Sequence, residues 1–346
     1  MRFYNNWGCI NLTSYIEMSN SFGTMVTLCS VGASIYDIKT PDKDNNNESI
    51  LYTIKSQTIF PYDNSYYGKT IGRTGGRIAG SKFKLNGKEY IINSDDPNGL
   101  HGGKEGLSFK DFSHIKKICD DYTEVDFSYY SKDKESGYPG NLELMVIYRL
   151  YNTVNKLTVR YLAKCDEDTL LNLSNHSYFN LSGNAKDNIF DHNLYINASK
   201  MEKIEKLLPK EIVYCDKIYS FKDGHKIGDY IKSEEIIKNT NGYDYPYIFD
   251  ECGLDKDNII LSEKKSGRVL KVKTTYPVVV VYTCNYTGEE IMNNNKVATP
   301  YYAVCLECMY HPNTINSNFL SNKKDILRHD SRYDETIEYY FGVEND

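Results

Sequence analysis

The sequence lacks the two features that would associate it with a membrane or a nucleic acid. It contains no run of about 20 apolar residues, the length that a membrane-spanning helix needs. It also lacks a basic excess, because 47 acidic residues outnumber 41 lysines and arginines and give a net charge of −6. Nucleic-acid-binding surfaces need clustered positive charge, so we expect no nucleic-acid partner and no membrane partner.

The sequence shows neither a disulfide framework nor a secretory leader. Its nine cysteines are odd in number and scattered, for example at Cys9, Cys29, Cys119 and Cys165. Residues 1–8 contain no apolar core like that of a signal peptide. Scattered cysteines without a leader are typical of reduced thiols, so we expect a cytoplasmic protein.

Tryptophan is nearly absent, with 1 residue, whereas tyrosine is abundant, with 32. Tyrosine favours strands and tolerates half-buried positions. Hydrophobic residues make up 40% of the 346 residues, which is enough to bury a sizeable core. No repeat of fixed period and no linker-like segment interrupts the chain, so we expect one domain over residues 1–346.

Short alternating segments separated by turn residues run along most of the chain. The pair Asn86 and Gly87 lies between two of them and predicts a tight hairpin. Further alternating segments cover residues 114–118, 123–130, 142–150 and 156–163. Regular short strands of this kind predict an all-β sandwich or barrel. We also expect a short strand at residues 59–62 and a short helix at residues 233–238.

His176 is the first candidate for chemistry. It lies in residues 170–183, which open with strand-like alternation and close on turn residues. Its neighbours Asn175, Ser177 and Asn180 can hold one imidazole tautomer and leave the other nitrogen free for proton transfer. The alternative is a structural histidine at a strand end, and this segment alone favours that alternative.

Glu307 is the second candidate. It lies in the apolar segment 303–309, where burial would disfavour the charged form of a carboxylate unless the group is paired or used. Alternation places Glu307 on the same strand face as Cys305 and Met309, and a strand-edge glutamate facing water is the alternative. Alternation also puts Cys305 and Cys308 on opposite faces, so we expect no metal or redox site there.

Three further polar residues are candidates for binding. His101 is flanked by glycines that would expose its ring to a ligand, and Arg77 follows two glycines within the glycine-rich residues 68–80. The Arg77 guanidinium offers several donors to hydroxyl groups, and Asp244 offers acceptors. The alternatives are an exposed loop histidine, a surface ion pair and a turn aspartate. Residues 68–80 lack the Gly-Lys-Ser/Thr ending of a phosphate-binding loop, which argues against that function.

The sequence resembles the aldose 1-epimerases, also called galactose mutarotases, in four places. In family order, the matching segments are GKTIGRTGGRIAG (68–80), LHGG (100–103), NHSYFNL (175–181), and LE (306–307) followed by HPN (311–313). Any one of them alone is a weak signal, whereas four in order across most of the chain are specific. The resemblance implies an all-β fold, a single large antiparallel β-sandwich of the galactose mutarotase-like supersandwich type.

The resemblance also implies an activity, the interconversion of the α and β anomers of a free aldohexose such as D-glucose or D-galactose. Glu307 would be the catalytic base and His176 the acid, while His101, Arg77 and Asp244 would bind the sugar. The family pattern implies no metal and no cofactor, and we expect a monomer or weak dimer. The alternatives are a hexose-6-phosphate 1-epimerase, which would need added basic residues, and a non-catalytic carbohydrate-binding β-sandwich, which would not need both Glu307 and His176.

The sequence departs from the family pattern in four places, and in one of them Tyr245 and Pro246 follow Asp244 where the family usually has His-x-Phe. Gly76 stands where the family usually has asparagine, Phe112 where tryptophan is common, and Val280 where glutamine is frequent. These changes leave the proposed acid and base in place, but they remove polar groups that could recognise sugar hydroxyls. The sugar preference is therefore left open, with Tyr243, Tyr245 and Phe112 as candidates for a replacement role.

Overall fold

The computed structural model describes residues 13–320 and 323–344. The segment 1–8 and Cys9, on which part of the expectation about location rests, lie outside the described residues. Within the described residues, no helix is long and apolar enough to cross a membrane.

Strands dominate the described chain. In its first half they are β1 (Tyr15–Ser19), β2 (Met25–Cys29), β3 (Ser34–Pro41), β4 (Asn47–Ser49), β5 (Thr70–Ile71), β6 (Lys82–Leu85), β7 (Lys88–Ile91), β8 (Ser113–Ile118), β9 (Tyr122–Ser131), β10 (Leu142–Tyr151), β11 (Lys156–Cys165), β12 (Thr169–Leu170) and β13 (Ser174–Asn175). In its second half they are β14 (Tyr178–Phe179), β15 (Asn193–Ile196), β16 (Lys200–Glu205), β17 (Leu208–Tyr214), β18 (His225–Lys226), β19 (Asp244–Ile248), β20 (Ile259–Ser262), β21 (Arg268–Thr274), β22 (Val278–Tyr282), β23 (Val304–Met309), β24 (Ile326–Leu327) and β25 (Tyr333–Val343).

Helical structure is sparse. The described residues contain one α-helix, α1 (Glu234–Thr240). The short 3₁₀ turns are Phe60–Tyr62, Ala79–Ser81, Leu100–Gly102, Leu107–Phe109, Glu135–Gly137, Ile189–Asp191, Ile227–Asp229 and Thr314–Asn316.

Two large sheets form the body of the protein. One has nine strands in the order β18-β15-β20-β21-β25-β11-β10-β9-β8, and the other has six in the order β14-β23-β22-β19-β16-β17. A four-stranded sheet, β1-β2-β3-β4, adds to them. The strand pairs that build these sheets are antiparallel, for example β10 with β11 and β22 with β23. The expected all-β antiparallel sandwich is confirmed.

The core lies between the inward faces of the two large sheets. β10 alternates buried residues with exposed or partly exposed ones, so each second side chain points into the core. Val146 of β10, Leu306 of β23 and Tyr339 of β25 belong to one continuous cluster of buried apolar residues. Tyr148, Tyr161 and Tyr339 are each fully buried, which explains part of the high tyrosine content.

The six-stranded sheet has one face in this core and one face that carries the candidate site. Its register places Glu307 of β23 opposite Val280 of β22, and Val280 opposite Pro246 of β19. In the neighbouring row, Cys305 lies opposite Tyr282, which lies opposite Asp244. Because side chains alternate along each strand, all six share one face, while Leu306 and Cys308 enter the core from the other.

Some local expectations are confirmed and one is wrong. Asn86 and Gly87 form the turn between β6 and β7, both with the positive φ that this tight hairpin requires. The helix expected at residues 233–238 is α1. Residues 59–62 do not form a strand, because Phe60–Tyr62 is a 3₁₀ turn with Pro61 in its first positions, where its fixed φ and missing N–H are tolerated.

Candidate active site

A cleft with a volume of about 300 Å³ opens over this face of the six-stranded sheet. All five residues expected from the sequence line it, namely Glu307, His176, His101, Arg77 and Asp244. They come from β23, from the residue after β13, from two loops and from β19, so they are far apart in sequence. The sheet and its neighbouring loops therefore bring the whole candidate set together.

Glu307 and His176 are in direct contact at the base of the cleft. Nε2 of His176 lies 3.3 Å from Oε1 of Glu307, and both residues are almost fully buried. The backbone of His176 is fixed on both sides, because its N–H donates to the Lys69 carbonyl and its carbonyl accepts from the Gly68 N–H. This contact joins an imidazole and a carboxylate in a geometry suited to proton exchange.

Burial moves the pKa values of this pair in opposite directions. It lowers the pKa of His176 to about 4, because the interior disfavours the imidazolium. It raises the pKa of Glu307 well above its usual range, and the nearby Asp244 carboxylate raises it further, while Arg77 opposes both effects. Burial therefore favours the uncharged arrangement of the pair, a protonated Glu307 carboxyl group beside a neutral imidazole.

The second ring nitrogen of His176 faces Cys305. Nδ1 lies 3.5 Å from the Cys305 sulfur, which is fully buried. Tyr178 and Tyr282 pack against the same imidazole, with ring centroids at 5.0 and 6.2 Å. The expectation that Cys305 shares a face with Glu307 and that Cys308 points away is confirmed, since Cys308 lies in the main core.

His101 is held by the backbone of the glycine-rich loop. The Gly76 N–H donates a hydrogen bond of 3.2 Å to its Nδ1, and the His101 N–H donates to the Gly76 carbonyl. Burial lowers the pKa of His101 well below its usual value, so the ring is neutral. Because Nδ1 accepts a hydrogen bond, the neutral ring carries its proton on Nε2, which leaves Nε2 as a donor.

The loop around His101 depends on glycine. His101 itself has a φ of 48°, and Gly102 follows with a φ of 90°. A Cβ atom at Gly102 would lie 1.9 Å from the carbonyl oxygen of Gly72, a separation that the backbone cannot tolerate. The glycines noted in the sequence thus permit a close approach of two loops, which places His101 with its ring 5.2 Å from that of His176.

Arg77 and Asp244 provide opposite charges in the cleft. Nε of Arg77 lies 3.6 Å from Oδ2 of Asp96, an ion pair with both side chains partly exposed. Burial raises the pKa of Asp244, and the positive charge of Arg77 lowers it. The positive charge of Arg77 thus lowers the pKa values of Asp244 and Glu307, and its N–H groups can donate to a polar ligand.

His101, His176 and Glu307 also have the composition of a metal site. Each offers one ligand atom, and these atoms lie within 4.8 Å of one another. A metal-bound histidine needs a free lone pair on the ligating nitrogen and usually donates its other N–H. The Gly76 N–H reverses this arrangement at His101, where Nδ1 accepts and Nε2 is protonated. The set is therefore suited to an oxygen acceptor of a polar ligand rather than to a metal ion.

Several lining residues were not expected from the sequence. Tyr66 packs edge-on against His101 with centroids 4.8 Å apart, and Tyr282 shares the sheet face of Asp244. The tip of the β16–β17 hairpin adds an apolar wall of Ile204, Leu207 and Pro209. Alternation from Val280 could have identified Tyr282, whereas the charged residues of the hairpin gave no such signal.

The residues that the sequence suggested as replacements for the missing polar groups are not in the lining. Tyr243, the residue before β19, and Tyr245 flank Asp244 and belong to the core, where the Tyr243 hydroxyl donates to the Ile218 carbonyl. Phe112 is buried against Tyr129. Val280 and Gly76, by contrast, do line the cleft.

Solved structures share this fold over nearly the full length of the chain. An aldose epimerase homologue from C. elegans superposes with a TM-score of 0.87 at 25% identity, covering 96% of this chain and 100% of that one. A galactose 1-epimerase from Lactobacillus acidophilus superposes with a TM-score of 0.84 at 25% identity, covering 96% and 95%. The protein is therefore a galactose mutarotase-like β-sandwich.

Sequence relatives narrow the class to a family. The family model described as aldose 1-epimerase matches residues 14–340. The galactose mutarotase of Homo sapiens is 30% identical over 323 residues, 92% of this chain and 91% of that protein. The aldose 1-epimerase of Haemophilus influenzae is 30% identical over 335 residues, 94% and 95% of the two chains. The chain belongs to the aldose 1-epimerase family and is an isomerase.

Proposed function

We propose that the protein interconverts the α and β anomers of a free aldohexose such as D-glucose or D-galactose. The observation that supports this most is the buried 3.3 Å contact between Glu307 and His176 at the base of the cleft. Ring opening of a hemiacetal needs one group to remove the proton of the anomeric hydroxyl and another to protonate the ring oxygen. An adjacent carboxylate and imidazole supply both functions.

The proposed reaction moves two protons and no metal or cofactor takes part. The Glu307 carboxylate removes the proton from the hydroxyl on C1, and the His176 imidazolium gives a proton to the ring oxygen. The bond between C1 and that oxygen then breaks, and C1 becomes an aldehyde. Rotation about the C1–C2 bond presents the other face of the aldehyde. As the ring closes, His176 takes back the proton of the attacking hydroxyl and Glu307 returns its proton to the oxygen on C1.

Burial of Glu307 and His176 favours one of the two proton arrangements that the pair adopts during the reaction. The ring forms of the sugar react with ionised Glu307 and protonated His176, whereas ring opening leaves protonated Glu307 and neutral His176. The second arrangement is the one that burial favours, since it carries no net charge on either group. Burial therefore favours ring opening from the ionised pair, whereas forming the ionised pair beside the closed ring costs free energy.

Each binding residue has a proposed partner type on the sugar. His101 donates from Nε2 to the ring oxygen or a neighbouring hydroxyl, and Arg77 donates to vicinal hydroxyls. Cys305, Tyr282 and Asp244 form one row across the sheet, and Asp244 accepts hydrogen bonds from sugar hydroxyls at its end of this row. The apolar pair Val280 and Pro246 lies between these polar ends and would pack against the C–H face of the ring.

We further propose that the chain acts as one domain, in the cytoplasm, as a monomer or weak dimer. The continuous core of the sandwich supports a single domain. The cysteines within the described residues are all free, which fits a reducing compartment.

The activity can be tested by polarimetry. Fresh solutions of α-D-glucose and α-D-galactose are followed with and without protein, and glucose 6-phosphate is included as a third substrate. We expect accelerated relaxation of the free sugars and a slower effect on the phosphate. A faster reaction on the phosphate would replace this proposal with a hexose-6-phosphate 1-epimerase, and no acceleration of any substrate would contradict catalysis.

A further inference from the structure

Cys305 makes a side-chain contact with the candidate acid that the proposed reaction does not use. Its sulfur lies 3.5 Å from Nδ1 of His176, on the opposite side of the ring from Glu307. Cys305 lies on β23 between Tyr178 of β14 and Tyr282 of β22, and it is fully buried. Its position is therefore fixed by two neighbouring strands as well as by its own.

Nδ1 of His176 faces the sulfur of Cys305, which can accept a hydrogen bond from the ring. Burial and the nearby Glu307 charge raise the pKa of the Cys305 thiol well above its usual value, so the sulfur stays uncharged. A thiol sulfur can accept a hydrogen bond from an Nδ1–H, and that tautomer leaves the lone pair on Nε2.

We propose that Cys305 is the positioning residue for His176, holding the ring proton on Nδ1 so that Nε2 alone exchanges a proton with Glu307 and the sugar. This role rests on the proposed mutarotase mechanism. In both states of the cycle Nδ1 keeps its proton, and the mobile proton passes between Nε2, Glu307 and the substrate. The arrangement resembles the third group of a catalytic triad, which orients the imidazole through its other nitrogen.

An uncharged sulfur beside Nδ1 affects the acidity of the His176 imidazolium differently from a carboxylate in the same place. A carboxylate on Nδ1 would stabilise the imidazolium and make it a weaker acid. A thiol is a weak acceptor and carries no charge, so it orients the ring without holding the proton on it. An acid that must give its proton to a weakly basic ring oxygen gains from this.

Several titratable side chains surround the ring of His176. The titratable side chains that face His176 are Glu307, Cys305, His101, Tyr66, Tyr178 and Tyr282. The rings of the three tyrosines and His101 contact the imidazole through their faces or edges. Among these groups, Cys305 is the side chain placed on Nδ1.

The test compares Cys305→Ala, Cys305→Ser and Cys308→Ala. The alanine variant removes the acceptor, and the serine variant restores one. Cys308 is the matched control, because it is a buried thiol on the same strand that points into the core. We expect kcat to fall about tenfold in Cys305→Ala with KM within about twofold, and to stay within about threefold of wild type in Cys305→Ser. Cys308→Ala should keep the wild-type pH–rate profile.

A second measurement does not depend on activity or on variants. The ¹⁵N chemical shifts of the His176 ring in the wild-type protein at neutral pH report which nitrogen carries the proton. We expect Nδ1 to be protonated and Nε2 to be unprotonated. A ring protonated on Nε2, or a folded Cys305→Ala variant with wild-type kcat, would overturn the role of Cys305. Absence of mutarotation in the wild type would instead overturn the proposed function, while the NMR result would still decide the tautomer.

Discussion

The backbone N–H of Gly76 donates a hydrogen bond of 3.2 Å to Nδ1 of His101. This single contact fixes the neutral ring as a donor from Nε2, because the other nitrogen has its lone pair occupied. It connects two glycine-rich segments that are 25 residues apart in sequence. A protonated Nε2 can donate to a hydroxyl or ring oxygen but cannot bind a cation, so this contact favours a sugar over a metal ion as the ligand.

A first prediction follows for His101. We expect His101→Leu, which removes the donor, to raise KM for D-galactose about tenfold, since a lost hydrogen bond in a buried site costs about 1–3 kcal/mol when its partner is left unpaired. His101→Gln can place an amide N–H close to the former Nε2 and should retain part of the affinity. Steady-state polarimetry on both variants checks this, and equal KM values for leucine and wild type would exclude a donor role.

The pH dependence of kcat/KM provides a second prediction. The pair Glu307 and His176 works with one shared proton. As pH falls through about 4, His176 takes a second proton, Glu307 can no longer act as base, and activity is lost. As pH rises through the raised pKa of Glu307, the shared proton leaves and His176 can no longer act as acid. We therefore expect a bell-shaped profile with its acid limb near pH 4 and its alkaline limb above the ordinary pKa of a glutamate.

This profile is measured by polarimetry over about pH 3 to 10, after subtraction of the uncatalysed rate at each pH. A single transition near the ordinary histidine value would show that His176 titrates as an exposed group. That result would contradict the burial argument for the pair.

Sugar selectivity is the third prediction. Val280 and Gly76 line the cleft where polar side chains are usual in the family, so fewer groups can distinguish sugar epimers. Each missing hydrogen bond is worth about 0.5–1.5 kcal/mol net. We expect kcat/KM for D-glucose and D-galactose to differ by no more than about tenfold, or about 1.4 kcal/mol.

Kinetics on both sugars with wild type and Val280→Gln test this point. The variant returns a polar side chain to the row between Glu307 and Pro246 and should widen the difference between the epimers. A preference of about a hundredfold in the wild type would show that other lining residues, such as Tyr66 or Tyr282, recognise the hydroxyls.

A fourth prediction concerns a second carboxylate–imidazole pair beside the cleft. Nδ1 of His311 is in close contact with Oε1 of the fully buried Glu202. The next residue, Pro312, lines the cleft and packs near Gly76. Burial raises the pKa of Glu202, and its contact with His311 opposes that shift. His311 therefore compensates a buried acid and holds the loop at the cleft.

We expect His311→Leu to lower the free energy of unfolding by about 1–3 kcal/mol, because it leaves the Glu202 carboxyl group buried without its partner. The double variant with Glu202→Leu should recover most of this loss, since both polar groups are then gone. Urea unfolding of the single and double variants gives the comparison. If the double variant lost as much as the sum of both single variants, the pair would not be coupled.

The sequence predicted which residues of one strand share a face in this site, but not which residues of distant strands lie beside them. Alternation alone placed Glu307 with Cys305 and away from Cys308, because side-chain direction in a strand has a period of two. It could not place Val280 beside Glu307 or Pro246 beside Val280, because these neighbours depend on the register of strands far apart in the chain.

The hairpin wall shows a second limit of sequence patterns. β16 and β17 carry many charged, exposed residues, and their pairing shifts register between Lys203 and Ile204. An irregular, solvent-facing hairpin has no clear hydrophobic period, so its apolar tip at Leu207 and Pro209 gave no signal. Tyr66 was equally hidden, since its place against His101 follows from a positive φ of 60° in a loop.

The central claim is that Glu307 and His176 transfer the protons of ring opening. Its most direct test is the polarimetric kcat of Glu307→Gln and His176→Asn on α-D-galactose. Glu143→Gln and His114→Asn serve as controls on the nine-stranded sheet, and circular dichroism confirms folding. We predict that kcat falls about 100-fold or more in each site variant and stays at the wild-type value in both controls. A folded Glu307→Gln or His176→Asn variant with near wild-type kcat would contradict the account.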